Sequence, residues 1–272
     1  MSSHPQSAPI DIDWDEEIPR PDVSNLITED DTPVDNPFSE KQMRLLTSSL
    51  YASWKPDFPF VTMANVGVYV ALNRPAVVPD VLVTTHVEPL QDLMDKEHRA
   101  YFSWLYNGKP PDIVVEIVSN RKGREMDSKR HNYEHMRVPW YVVFDPACLL
   151  KGQLLTVFGM NGGGYVEIAP HALGAVGLGL ALWEGEFEGV TATWLRWLGG
   201  DGELLKLATE REAETLLSLD KAKHEANKAK HEAFEAKRKA EEAKREASAS
   251  MLRASALAAK LRALGIDPDS LD

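Results

Sequence analysis

Pro111-Asp112-Ile113-Val114-Val115-Glu116-Ile117-Val118-Ser119 is apolar at every central position but one. Odd and even positions alike carry Ile or Val, as in a strand buried on both faces. Glu116 is the exception. A lone carboxylate in such a place costs on the order of several kcal/mol unless a cation, a hydrogen-bond network or a raised pKa relieves it. Asp80 poses the same problem within Val77-Val78-Pro79-Asp80-Val81-Leu82-Val83, where it stands in the middle of another apolar, strand-like run. Both acids are explained at once if they meet at one divalent cation, and oxygen ligands of this kind suit Mg2+ or Mn2+. The competing explanation is that each acid caps a turn at a strand end or pairs with an arginine.

The residues after Glu116 bear on that choice. Ser119-Asn120-Arg121-Lys122-Gly123-Arg124 is a basic loop, and a helical stretch over 124–136 carries Lys129, Arg130 and Tyr133. Clustered cations beside a carboxylate site are what phosphodiester cleavage needs: they hold backbone phosphates, and a lysine near a metal neutralises charge in the transition state. A run of Lys and Arg is also what a solvated loop looks like. His131 and His135, four apart on that helix, read either as a zinc pair or as surface residues.

Outward from this centre, Ser39 reads as a helix N-cap with Glu40 in the first turn. Met43, Leu46, Leu50 and Trp54 form one apolar face, and Pro56 and Pro59 stop the helix. Glu40 offers either a third carboxylate or a simple N-terminal helix charge. Short strands are expected over 60–63, 66–72 and 77–83. Residues 86–109 form an excursion, helical around 90–97, that closes on Asn107-Gly108. Further strands are expected over 113–118 and 141–144, and a hairpin joins 154–158 to 165–168 through Asn161-Gly162-Gly163-Gly164. This mixture gives an α/β or α+β class.

The two ends differ from the middle. Residues 1–38 hold ten acids and one base and show no periodicity, so a disordered acidic tail is expected there. Residues 39–200 hold seventeen acids and fifteen bases, and 201–272 fifteen and fourteen. The net charge of −12 therefore resides mostly in the tail, and the nearly neutral middle leaves nucleic acid open as a partner. From Ala222 through Ala226, Ala229 and Ala233 to Leu257, Leu261 and Leu264, apolar residues recur at alternating spacings of four and three. That is the a/d seam of a coiled coil over about six heptads. Such a helix either dimerises or stands alone, supported by Glu–Lys pairs. Gly265 and Pro268 end it. Cys148 is the only cysteine, which excludes an internal disulfide and fits a reducing cytoplasm. No apolar run approaches the roughly 20 residues of a membrane span, and the first thirty residues have no secretory pattern.

The motifs resemble, in order, those of the Uma-two family of restriction-endonuclease-like proteins. They are Val78-Pro79-Asp80-Val81-Leu82-Val83, Gly108-Lys109-Pro110-Pro111-Asp112 leading into the Glu116 strand, Lys129-Arg130 with Tyr133, Val138-Pro139-Trp140-Tyr141, and Asp145-Pro146. The resemblance covers residues 39–200. It implies a restriction-endonuclease-like PD-(D/E)XK core, a mixed sheet flanked by helices, followed by the long charged helix. Carried over, Asp80 is the motif aspartate and Glu116 the motif glutamate, both as metal ligands. Glu116 is followed by Ile117 and Val118, where the superfamily motif has its lysine two positions on. The family commonly places that lysine in the following helix, at the position of Lys129.

The resulting expectation is a Mg2+- or Mn2+-dependent endonuclease acting on nucleic acid, most simply DNA. Asp80, Glu116 and Lys129 are its catalytic set, and Arg121, Lys122, Arg124 and Arg130 its phosphate contacts. The domains are 1–38, 39–200 and 201–272, the last offering a homodimer contact or standing alone as a single helix. The alternative is an inactive scaffold that keeps the nuclease fold and works by binding DNA or a protein and oligomerising. A weaker variant has the charged helix bind a partner while the acidic tail inhibits the site.

Overall fold

The computed structural model describes residues 20–28, 36–119, 128–150, 152–171, 173–263 and 265. Most of the expected acidic tail therefore lies outside the described residues, as does Pro268. The chain divides into two units, the first ending at Ala208 and the second beginning at Thr209.

Helix α1 (Pro37–Ser53) starts one turn earlier than its expected cap. Asn36 is the N-cap, its side chain accepting from the Ser39 amide at 2.9 Å. Ser39 instead lies buried within the first turn. Pro37 explains the shift, because its fixed φ suits the first helical position and its missing N–H is not needed there. Met43, Leu46 and Leu50 form the buried stripe that their spacing announced. Burying a leucine of this kind contributes roughly 1.5–3 kcal/mol.

The first unit is built on a sheet of six strands: β1 (Phe60–Ala64), β3 (Val81–Thr85), β5 (Ile113–Ile117), β6 (Trp140–Phe144), β7 (Leu155–Asn161) and β8 (Gly164–Ile168), in the spatial order β1-β3-β5-β6-β7-β8. All neighbours are antiparallel except β5 and β6. That parallel pair is joined through helix α2 (Arg130–His135). A short parallel pair, β2 (Val68–Tyr69) with β4 (Tyr101–Phe102), lies apart from the main sheet. A hairpin of β9 (Gly179–Phe187) and β10 (Val190–Leu198) completes the unit.

Strand alternation divides the core between the two faces of the sheet. Val81, Val83, Ile113, Val115, Ile117, Val142 and Phe144 pack with the α1 stripe and with Leu180, Leu195 and Trp197 of the hairpin. Leu82, Val114, Val143 and Tyr141 pack on the other face with Tyr133 of α2, Tyr101 and Tyr106. Gln42 fastens α1 to β10 by taking the Leu195 amide at 2.9 Å and donating to its carbonyl at 2.8 Å.

Several expectations need correction. The strand expected over 77–83 begins only at Val81. Val77 makes an isolated bridge to Val68, and Pro79, which has no amide hydrogen, separates that bridge from the strand. Asp80 accordingly stands just before β3 and not in its middle. The strand over 66–72 shrinks to two residues. No α-helix forms around 90–97; the excursion holds two 3-10 turns, Lys96–His98 and Ser103–Tyr106, on either side of β4. The left-handed pair Asn107 (φ 56°) and Gly108 (φ 75°) closes it as expected. The long β9–β10 hairpin is absent from the sequence reading. Its signals are the alternation in Trp183-Glu184-Gly185-Glu186-Phe187 and the turn at Glu188-Gly189, both at positive φ.

Helix α3 (Ala208–Ala263) runs unbroken for 56 residues with none buried, and Gly265 beyond it takes a left-handed φ of 75°. No helix among the described residues is long and apolar enough to cross a membrane.

Candidate metal and catalytic site

Alternation along β5 turns Val114 and Glu116 to the face occupied by α2, and Val115 and Ile117 to the face occupied by α1. Glu116 is thus forced inward, 1 % exposed, between two apolar layers. In the antiparallel register of β3 and β5, Val81 pairs with Val115. One step beyond that pair, Asp80 comes opposite Glu116. Oδ2 of Asp80 accepts the Ile117 amide at 2.5 Å, which ties the aspartate to the strand that carries the glutamate.

The beginning of α2 supplies the rest. Lys129 Nζ donates to Glu116 Oε2 at 2.6 Å, and the Tyr133 hydroxyl donates to Oε1, also at 2.6 Å. Lys129 and Tyr133 are four apart, so one turn presents both to the same carboxylate. The ammonium is partly exposed, with 31 % of the lysine side chain accessible, whereas Tyr133 is fully enclosed. Burial pushes the Glu116 carboxyl up to about 8. The Lys129 charge pulls against this, the neighbouring Asp80 charge adds to it, and the hydrogen bonds from Lys129 and Tyr133 lower it again. Burial, then the charge of Glu116 and the bond to it, hold the Tyr133 phenol well above its ordinary range.

Asp80, Glu116 and Lys129, drawn from three separate stretches of sequence, therefore share one locus. The opposition of Asp80 and Glu116 is the electrostatic situation that a hard divalent cation relieves, so the donor set fits Mg2+ or Mn2+. Among the described residues no group of three His, Cys, Asp or Glu side chains is arranged to hold a metal. Two carboxylates plus substrate oxygens and water are a usual set for Mg2+, which sheds its waters reluctantly.

The other candidates fall elsewhere. Arg121, Lys122 and Arg124 lie outside the described residues. Arg130 stands over the Phe158 ring at 5.4 Å. Glu40 pairs with Arg44, which also holds Glu188 between α1 and the β9–β10 turn. His131 and His135 stack edge-on at 4.1 Å on the exposed side of α2. Asp112, although preceded by a proline, is not part of this locus. At the opposite end of β5, its Oδ2 accepts the Thr85 amide at 2.7 Å, the Thr85 hydroxyl at 2.8 Å and Lys109 Nζ at 2.8 Å. Tyr133 is a contact of Glu116 beyond the catalytic set expected from sequence. Its sequence signals are its place four residues after Lys129 and its part in the motif with Lys129-Arg130.

The six-stranded mixed sheet, its β5–α2–β6 crossover and the flanking helices define a restriction-endonuclease-like α/β fold. The Uma2 family model, described as "Putative restriction endonuclease", matches residues 27–183, more than half of the chain, and the protein belongs to that family. No curated protein and no solved structure matches it.

Proposed function

We propose that the protein is a metal-dependent endonuclease that hydrolyses phosphodiester bonds, with DNA as the first substrate to test. The observation that carries this reading is the convergence of Asp80, Glu116 and Lys129 at the ends of β3, β5 and the start of α2. Asp80 and Glu116, with the Ile117 carbonyl, would hold Mg2+ or Mn2+. Bound there, the ion would supply Lewis acidity toward a phosphoryl oxygen and lower the pKa of water. Lys129, on the exposed rim of a buried carboxylate, stabilises negative charge as it builds on the phosphate oxygens and orients the attacking water. Arg121, Lys122, Arg124 and Arg130 follow or flank the Glu116 strand in sequence and would take the backbone phosphates. Family membership and the usual use of divalent metals by restriction-endonuclease-like proteins support the same reading.

The test is incubation with supercoiled plasmid, single-stranded DNA and RNA in Mn2+, Mg2+ or EDTA. Cleavage is expected only with metal and is expected to fall about a hundredfold or more in both Glu116→Ala and Lys129→Ala. Cleavage that survives EDTA, or Glu116→Ala at full rate, would overturn the reading.

The proposal extends to a homodimer formed through α3. In the register of its seam, one flank carries Lys223, Lys230, Lys237 and Lys244, and the other Glu225, Glu232, Lys239 and Glu246. In a parallel, in-register pair, each flank residue meets the opposite flank five residues on. Glu225 then faces Lys230 of the second copy and Glu232 faces its Lys237, while Lys239 against Lys244 is the one repulsive layer. An antiparallel pair would set the lysine flanks against each other. Charge therefore favours the parallel arrangement. Sedimentation equilibrium on the whole chain reads the mass, and a monomer at tens of micromolar would refute the dimer.

A further inference from the structure

Glu116 receives two hydrogen bonds of equal length from donors of opposite character. Lys129 reaches Oε2 from a partly exposed position on a stem of four methylenes. Tyr133 reaches Oε1 with a rigid ring that is fully enclosed, 5.2 Å from the Tyr141 ring, among Leu82, Val114 and Val143. The terminal torsion of a glutamate is broad and roughly two-fold, so rotamer preference alone does not set the plane of its carboxylate. Something rigid has to set it. The lysine can swing and follow the carboxylate; the tyrosine ring cannot.

We propose that Tyr133 is the positioning residue of this site: its hydroxyl, holding Oε1 at 2.6 Å, fixes the carboxylate plane and thereby which oxygen Glu116 presents toward Asp80 and a divalent cation. The inference rests on the reading of Asp80 and Glu116 as metal ligands. Donors of this kind, one bond behind a ligand, fix its orientation, and their loss typically lowers metal affinity 10–100-fold. Because α2 carries both donors within one turn, the helix delivers a movable charge and a fixed pivot together.

The discriminating variant is Tyr133→Phe, which keeps the ring in its packing and deletes only the hydroxyl. Tyr165→Phe is the control. It packs against the same cluster, and its hydroxyl donates a part-buried bond to the Val138 carbonyl at 2.8 Å, without touching Glu116. Mn2+ is titrated into each full-length chain and free ion is followed by electron paramagnetic resonance, a readout independent of cleavage. Tyr133→Phe is expected to raise the Mn2+ dissociation constant about tenfold or more, and Tyr165→Phe to leave it within twofold. Equal affinities in Tyr133→Phe and the unaltered chain, or equal losses in the two variants, would overturn the inference while leaving the metal site standing. No Mn2+ binding by the unaltered chain would remove the metal site itself, and this inference with it. Should Tyr133→Phe not fold, the hydroxyl proton of Tyr133 in the unaltered chain carries the test by nuclear magnetic resonance. It is expected to shift with added Mg2+, and a stationary resonance would overturn the proposal.

Discussion

β5 has five residues and every one is buried; α3 has fifty-six and none is. Both are regular, and they are held by opposite means. The strand exists because two faces of a core close on it, and that enclosure traps Glu116 where a charge is costly. The helix satisfies its backbone internally and its side chains locally, as in the Arg238–Glu235 pair at 2.8 Å. A charge on α3 is unremarkable because water reaches it. The same charge on β5 is a strained group that needs a partner, and in this chain the strain coincides with the proposed chemistry.

The largest expected effect sharpens the strand side of this comparison. The Glu116 carboxyl is held near 8 in the folded protein, against an ordinary value of 4.5. Below about pH 4.5 both folded and unfolded chains carry the proton. Between 4.5 and 8 the folded chain keeps a proton that the unfolded chain has lost, so stability falls as pH rises and levels off above 8. The full difference is roughly 5 kcal/mol. Urea unfolding in EDTA, followed by tryptophan fluorescence, reads the first unit alone, since all seven tryptophans precede residue 209. Glu116→Gln is expected to remove that fall; an unchanged pH profile would mean that Glu116 is not the strained group.

The smaller effect concerns the helix. Lys239→Glu converts the one repulsive layer of a parallel α3 pair into an attractive one, twice by symmetry. It is expected to tighten the dimer about threefold or more at low salt, read by sedimentation equilibrium. An antiparallel pair or a solitary helix would not respond in this way.

The same contrast explains what could be read from sequence. α3 was legible because a heptad pattern is local and needs no knowledge of neighbours. Glu116 was legible for the reverse reason: a carboxylate amid Ile and Val contradicts its surroundings, and the contradiction names the site. Apolar composition marks Asp80 but not its setting, because it does not reveal that Pro79 separates the Val77 bridge from β3. Ser39 has the chemistry of a cap, but Pro37 suits the first helical position and moves the cap to Asn36. The β9–β10 hairpin escaped because its alternation is interrupted by glycines and its purpose, covering α1 and the sheet, is visible only in three dimensions. In sequence Tyr133 carries only its spacing from Lys129 and its part in the motif with Lys129-Arg130. That a phenol would reach Glu116 is a matter of helix placement, which spacing alone does not give.

Asp80 and Glu116 are proposed to hold one divalent cation between them. Anomalous diffraction from crystals grown with Mn2+ tests it most directly. One strong anomalous peak is expected roughly 2 Å from carboxylate oxygens of both Asp80 and Glu116. A peak at His131 and His135 instead, or none between the two carboxylates at saturating Mn2+, would contradict it.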